Sequence, residues 1–162
     1  MAKKQTVEKT NAMRKLDAMK LVFQEYTYES DGTQTGVEIA SMLGQNAEQV
    51  FKTLVTVGRT GEHYVFMIPV ADELDLKKAA KAVGEKSVEM VKSKELLGLT
   101  GYIHGGCSPI GMKKFFRTTV HETAVLYDTI IFSGGKIGYQ IELPLSDLEK
   151  VITLQTADVV KE

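Results

Sequence analysis

The sequence predicts an α+β fold with a mixed, largely antiparallel sheet flanked by helices. The chain has 162 residues, of which 43% are hydrophobic and 25% charged, which is typical of one soluble globular domain. Helical and strand patterns are interspersed along it. The strand pairs are joined by short turns, which favours antiparallel hairpins over a doubly wound parallel sheet. We therefore expect a single domain that spans residues 1–162.

Two helices and a short extended segment are predicted near the N-terminus. The first helix runs from Thr6 to about Phe23, where apolar residues recur every three or four positions. Residues 26–28 form the extended segment. The spacing of Thr35 and Glu38 is that of a capping box, which opens a second helix that ends at Gly44.

The middle of the chain predicts a hairpin followed by helices. Residues 51–57 and 63–68 are rich in β-branched and aromatic residues and are separated by a turn. An amphipathic helix follows over residues 72–83 and closes at Gly84. A shorter helix is expected around residues 93–97.

A glycine-dense segment over residues 101–111 is too irregular for a regular element and predicts a loop. After it, Ser146 and Glu149 have the spacing of a second capping box, which predicts a C-terminal helix. Three strands are expected in this last third, at residues 118–120, 129–132 and 137–143.

Composition excludes several classes of protein. No apolar run approaches the roughly 20 residues of a membrane-spanning helix, and the charged N-terminal residues do not resemble a signal segment. A single cysteine, Cys107, fits a reducing compartment, so a cytoplasmic protein is expected. The net charge of −1 gives no global attraction to nucleic acid or membranes.

Common catalytic motifs are absent from the sequence. The three histidines, His63, His104 and His121, lack metal-binding spacing, so no metal site is expected. Glycines 106 and 111 have phosphate-loop spacing, but the lysine and serine or threonine of that motif do not follow. No G-x-S-x-G motif is present.

Several residues are open to two interpretations. Cys107 is a packed thiol or a nucleophile, and Lys52, within an apolar strand, reaches either water or an anion. Gly105 and Gly106 form either a structural turn or a backbone surface that faces a ligand oxygen. The segment around Ser133 is most simply a hairpin turn.

Four segments of the chain are informative in combination, namely residues 49–55, 74–81, 101–111, and 133–136 together with 141–143. Taken together, they resemble the YbaK/EbsC family of aminoacyl-tRNA deacylases, and most closely its YbaK-type Cys-tRNA(Pro) deacylases. The likeness extends from about Leu16 to the last helix. The resemblance implies a single α+β domain on a curved sheet, with a pocket around a lysine-bearing strand and a glycine loop.

The resemblance also implies the site residues. The family's essential lysine, glycine and serine correspond to Lys52, Gly105 and Ser133. Gln140 stands where YbaK-type proteins carry an aspartate, so it offers an amide rather than an ion pair. The substrate-binding positions implied by the resemblance are Tyr28, Thr53, Gly106, Ser108, Gly134 and Gln140.

By this resemblance the chain hydrolyses Cys-tRNA(Pro), and also Cys-tRNA(Cys), with the substrate's own thiol as the nucleophile. No metal or other cofactor is then required. The implied partners are the acceptor end of tRNA and, transiently, prolyl-tRNA synthetase, with no membrane. Two alternatives stay open, a related deacylase for Ala-tRNA(Pro) or Ser-tRNA and a non-catalytic module that binds tRNA or a synthetase.

Overall fold

The computed structural model describes residues 9–162. In that range the helices are α1 (Asn11–Ala18), α2 (Gly36–Met42), α3 (Leu76–Val83), α4 (Ser93–Thr100) and α5 (Leu145–Val151), with a 3-10 turn at Glu122–Leu126. The strands are β1 (Gln24–Thr27), β2 (Phe51–Gly58), β3 (His63–Pro69), β4 (Val88–Met90), β5 (Arg117–His121), β6 (Ile130–Ser133), β7 (Tyr139–Leu143) and β8 (Leu154–Ala157). The helices of residues 9–162 have at most eight residues each, which is too short to span a membrane.

The strands form two sheets. The larger has the order β4-β2-β3-β5-β8 and the smaller has the order β1-β7-β6. The β2–β3 and β6–β7 hairpins are antiparallel, as predicted, and so are the β2–β4 and β1–β7 pairs. The α+β class with a mixed, largely antiparallel pairing is confirmed. The division into two sheets and the parallel pairings of β5 with β3 and β8 were not predicted.

Strand β3 is buried on both faces, which explains its continuous apolar sequence. Alternate residues of a strand point to opposite faces. Tyr64, Phe66 and Ile68 pack into the cluster that includes α3. Val65 packs with Leu96 of α4, on the side where the glycine-rich segment lies.

The two sheets are joined at a single bridge among the described residues. Val50, just before β2, pairs in parallel with Ile131 of β6. The Ile131 N–H donates to the Gln49 carbonyl at 3.1 Å, and the Val70 N–H donates to the Val50 carbonyl at 2.8 Å. This junction places the start of β2 beside β6.

Two helix boundaries differ from the sequence prediction. The predicted start at Thr6 lies outside the described residues; α1 has Thr10 as its N-cap and ends before Lys20, which has a φ of 59°. Helix α3 begins after Asp75 rather than at residue 72. The Asp75 carboxylate accepts from the N–H groups of Lys77 and Lys78, which fixes the first turn there.

The two predicted capping boxes have opposite outcomes. Thr35 and Glu38 form the reciprocal hydrogen bonds of a capping box at the start of α2. The box predicted at Ser146 and Glu149 is wrong, because α5 already begins at Leu145, directly after Pro144. Pro144 occupies the N-cap position, and its ring has no hydrogen-bond acceptor, so the first turn has no side-chain cap.

Candidate active site

A cavity of about 250 Å³ lies next to the junction of the two sheets. Its wall combines the segment before α2, the start of β2, one residue of α4, the glycine-rich segment and the end of β6. Six stretches of the chain thus meet here, because Tyr28 extends the segment before α2, Gln140 extends the β6–β7 hairpin, and Val70 adds a residue that follows β3. A concave site of this kind is the natural place to look for ligand binding.

The structure brings together six of the nine site residues expected from the sequence. The six that line the cavity are Lys52, Gly105, Ser133, Tyr28, Thr53 and Gln140. The remaining three, Gly106, Ser108 and Gly134, lie outside its lining and support the surrounding loops instead.

Lys52 contributes a positively charged side chain to the cavity wall. Burial lowers the pKa of its ammonium, while the charges of Glu73 and Asp72 act in the opposite direction. Within residues 9–162, no hydrogen bond or ion pair engages this ammonium. A partly desolvated cation without a direct partner is suited to bind an anionic or strongly polar ligand group.

Gly105 presents backbone to the cavity. Its φ of 86° is in the left-handed region that favours glycine, and an added Cβ would only touch the Ile137 side chain at 3.6 Å. The N–H of Gly105 has no acceptor in the described part of the chain. The neighbouring N–H, that of Gly106, is already used by the Ile103 carbonyl at 3.0 Å.

Ser133 and Gln140 lie opposite each other on β6 and β7. The Ser133 hydroxyl oxygen accepts from the Gly135 N–H at 3.2 Å, which leaves its O–H free to donate. Gln140 is 5% exposed, and its Oε1 accepts from Gln45 Nε2 at 2.7 Å. Both residues therefore have a fixed orientation and a donor to offer.

Tyr28 and Thr53 both line the cavity. Burial raises the pKa of Tyr28, so its phenol is neutral at physiological pH; a backbone hydrogen bond with Gly138 acts weakly against this. Thr53 Oγ1 is buried and has no hydrogen-bond partner in residues 9–162. An unpartnered buried hydroxyl is costly, and contact of Thr53 with a ligand stays a prediction.

The three residues outside the lining have structural roles. Ser108 is fully buried, and its Oγ accepts from the Ile110 N–H at 3.3 Å. The Gly134 N–H donates to the Tyr139 carbonyl at 2.9 Å and closes the β6–β7 turn. A Cβ on Gly106 would lie 3.0 Å from the Ile137 nitrogen, so glycine permits the close approach of the two loops.

Cys107 lines the cavity but is not an activated thiol. Burial raises the pKa of its thiol to about 12, against a weaker opposing effect from Thr100. The thiolate is the nucleophilic form, and a raised thiol pKa disfavours it at neutral pH. Together with its burial at 7% exposure, this favours the packed cysteine of the two alternatives left open by the sequence.

Within the described range, the residues that line the cavity include no carboxylate. Among the residues of 9–162 that form it, the titratable ones are Tyr28, Lys52, His104 and Cys107. Nor does this part of the chain contain a cluster of side chains that could hold a metal ion. The wall therefore offers neutral hydrogen-bonding groups and one fixed positive charge.

Sequence reasoning missed Gln45 and Ile137. Gln45 is in the segment between α2 and β2 and reaches Gln140 across 95 positions of sequence. Ile137 lines the cavity beside Gly105. No local pattern marks either residue, because their roles depend on contacts between distant segments.

Comparison with known proteins identifies the family. Residues 30–151 match the aminoacyl-tRNA editing domain. A protein of Enterococcus faecalis named Cys-tRNA(Pro)/Cys-tRNA(Cys) deacylase EbsC is 48% identical over 160 residues, with 98% of each chain covered.

Two further proteins are similar. A solved structure described as a trans-editing enzyme for prolyl-tRNA synthetase has 26% identity and a TM-score of 0.79, with 96% of this chain and all of that chain covered. A proline–tRNA ligase of Pelobacter propionicus is 30% identical over 77 residues, which is 48% of this chain and 13% of the ligase. The chain therefore belongs to the aminoacyl-tRNA editing domain family, as its resemblance to the YbaK/EbsC proteins predicts.

Proposed function

We propose that this protein is a trans-acting editing deacylase that hydrolyses the ester of Cys-tRNA(Pro), and also that of Cys-tRNA(Cys). The observation that carries the proposal is the cavity itself, which gathers Lys52, Gly105 and Ser133 around one small space. Its volume of about 250 Å³ is below the roughly 300–1,000 Å³ of pockets for drug-sized ligands. It suits the aminoacyl end of a tRNA rather than several nucleotides.

The substrate supplies the nucleophile in this proposal. The cysteinyl sulfur attacks its own ester carbonyl, a carbon–sulfur bond forms, and the bond from carbon to the tRNA 3′ oxygen breaks. The proton lost by the thiol balances the one gained by the 3′ oxygen. Water then opens the resulting thiolactone to free cysteine. A neutral Cys107 and a wall without carboxylates support a mechanism that uses no protein nucleophile.

The protein contributes orientation and electrostatic stabilisation. The Lys52 ammonium holds the terminal phosphate or ribose of the acceptor end. The free N–H of Gly105 and the O–H of Ser133 donate to the carbonyl oxygen as negative charge develops on it. Holding sulfur and carbonyl in a reactive geometry lowers the barrier further, because the reacting groups lose little freedom at the transition state.

Selectivity follows from the same chemistry. A pocket distinguishes side chains that differ by one methylene by only about 1–3 kcal/mol. Alanyl, prolyl and seryl esters lack a thiol, so they cannot form the thiolactone. The site therefore selects cysteine by its reactivity rather than by its size.

The net charge of −1 supports a limited contact with tRNA. Phosphate contacts dominate tRNA affinity and usually require a basic surface. We therefore propose that prolyl-tRNA synthetase presents the mischarged tRNA as a transient partner, and that the reaction takes place in the cytoplasm.

A pair of isosteric esters tests the function. The protein should hydrolyse Cys-tRNA(Pro) at least about 100-fold faster than the 2-aminobutyryl ester, in which a methyl group replaces the thiol. Single-turnover deacylation assays measure both rates, and spontaneous hydrolysis of each ester is the control. Equal rates for the two esters would contradict the thiol mechanism, and no acceleration of either would contradict the deacylase function.

A further inference from the structure

Gln45 and Gln140 form a hydrogen-bonded pair at the cavity wall. Gln45 Nε2 donates to Gln140 Oε1 at 2.7 Å. A carboxamide has an acceptor end and a donor end, so engaging the oxygen of Gln140 leaves its N–H groups for the cavity. These N–H groups have no acceptor in residues 9–162, and Gln140 lines the cavity.

The backbone of Gln45 holds it in place for this contact. Its N–H donates to the Ala40 carbonyl at 2.8 Å, which anchors the segment after α2. Gln45 Oε1 is buried without a hydrogen-bond partner in the described residues. Such a group is costly, and among residues 9–162 the bond to Gln140 is the one hydrogen bond of this side chain. The pair is thus better explained by its effect on Gln140 than by a contribution to stability.

The charges of the cavity wall do not complement an aminoacyl ester whose α-amine is free and protonated. An α-ammonium group is normally stabilised by a carboxylate. The lining has none, and Lys52 adds a positive charge. Asp72 and Glu73 act on Lys52 but lie outside the lining. The donor end of Gln140 would oppose an ammonium and favour a carbonyl oxygen.

We propose that Gln45 positions the Gln140 amide as a donor to the acyl carbonyl, and that the site leaves the substrate α-amine without an anionic partner. The site then accepts aminoacyl esters whose α-amine is blocked by an acyl group. This inference rests on the proposed deacylase function and extends its substrate class to α-N-acylated cysteinyl-tRNA.

The test compares Cys-tRNA with N-formyl-Cys-tRNA, since formyl is the smallest acyl group and the thiol is retained. Single-turnover rates are divided by the spontaneous hydrolysis rate of each ester. The unmodified protein should accelerate the two esters to within about threefold of each other. An acceleration at least about tenfold smaller for the formyl ester would overturn the proposal, because tenfold is the low end of the effect of one charge-assisted hydrogen bond.

Two substitutions test the orientation of the amide. Gln140→Glu places a carboxylate in the wall, and Gln45→Glu offers only an acceptor, which turns the Gln140 amide so that its oxygen faces the cavity. The ratio measured is the acceleration of Cys-tRNA hydrolysis divided by that of N-formyl-Cys-tRNA hydrolysis. Both substitutions should increase this ratio at least about tenfold. A loss of rate with an unchanged ratio would indicate a merely structural role and overturn the proposal.

Gln49→Leu is the matched control. Gln49 belongs to the same segment, but its Nε2 donates to the Thr129 carbonyl at 2.9 Å and it does not line the cavity. Its ratio of accelerations should equal that of the unmodified protein. The unmodified protein is tested with both esters and requires no variant. This part of the test therefore remains valid even if a variant fails to fold. Failure to accelerate either ester would refute the deacylase function instead.

Discussion

Ser133 and Gln140 face each other across the antiparallel pair of β6 and β7. Directly opposed residues of such a pair have Cβ atoms roughly 4.5–5.5 Å apart, so the two polar side chains reach the same part of the cavity. The register is maintained by the turn between them, in which the Gly134 N–H donates to the Tyr139 carbonyl. A hairpin that composition alone explains as a turn therefore also supplies two donors to the candidate site.

Replacing Lys52 with methionine should lower the rate of Cys-tRNA hydrolysis at least about 100-fold, since positioning and charge stabilisation are both lost. The fold should be retained, because the methionine keeps the apolar part of the side chain. Single-turnover assays and thermal unfolding measure the two effects. Lys81→Met, at an exposed position of α3, is the control and should keep the parental rate. A Lys52→Met variant with the parental rate would remove Lys52 from the site.

The stability of the protein should depend on pH through Lys52. Burial lowers the pKa of Lys52 in the folded state, so the unfolded chain binds more protons in the alkaline range. The free energy of unfolding of the parent, relative to Lys52→Met, should therefore increase as the pH rises from the folded pKa towards about 10.4. Denaturant titrations of both proteins between neutral and alkaline pH test this. A relative decrease over that range would show that Lys52 is not desolvated.

Gly105→Ala should reduce both stability and activity. A side chain at a φ of 86° costs about 1–2 kcal/mol, and relief of that strain would move the backbone that lines the cavity. Gly61→Ala is a matched control, because Gly61 has a φ of 88° in the β2–β3 turn and open space around it. We expect similar losses in the free energy of unfolding. Only Gly105→Ala should lower the deacylation rate, by about tenfold or more; equal rates for both variants would exclude a role for Gly105.

Cys107 should resist alkylation at neutral pH, because burial raises the pKa of its thiol to about 12. Mass spectrometry after iodoacetamide treatment should detect little modification of the folded protein and full modification in denaturant. Cys107→Ala should retain the deacylation rate to within about threefold, since the thiol is not a nucleophile. Rapid labelling of the native protein, together with loss of activity, would make Cys107 a catalytic candidate.

Ser108→Ala and Ser133→Ala should separate a structural serine from a substrate contact. Ser108 is enclosed and accepts from the Ile110 N–H, so its loss should cost about 1 kcal/mol of stability with little change in rate. Ser133→Ala should lower the rate about tenfold or more. Unfolding curves and single-turnover rates of both variants test this. A larger loss of rate for Ser108→Ala would reverse the assignment.

The sequence determined the features that depend on local contacts. Thr35 and Glu38 form the predicted capping box because both partners lie within one helical turn. The β2–β3 and β6–β7 hairpins follow from short turns between β-rich segments. The resemblance to a family predicted Lys52, Gly105 and Ser133 as site residues. Local patterns alone are equally consistent with an ordinary edge lysine at position 52 and structural turns at positions 105 and 133.

Only the tertiary structure decided how these segments meet. The parallel pairings of β5 and the bridge of Val50 with Ile131 join residues far apart in the chain, and the sequence has no periodic signal for such pairs. That bridge sets Lys52 of β2 beside the β6 strand that ends at Ser133. The Gln45–Gln140 hydrogen bond and the placement of Gly106, Ser108 and Gly134 outside the cavity have the same cause. Side-chain packing between distant segments selects which polar groups face a ligand and which support the wall.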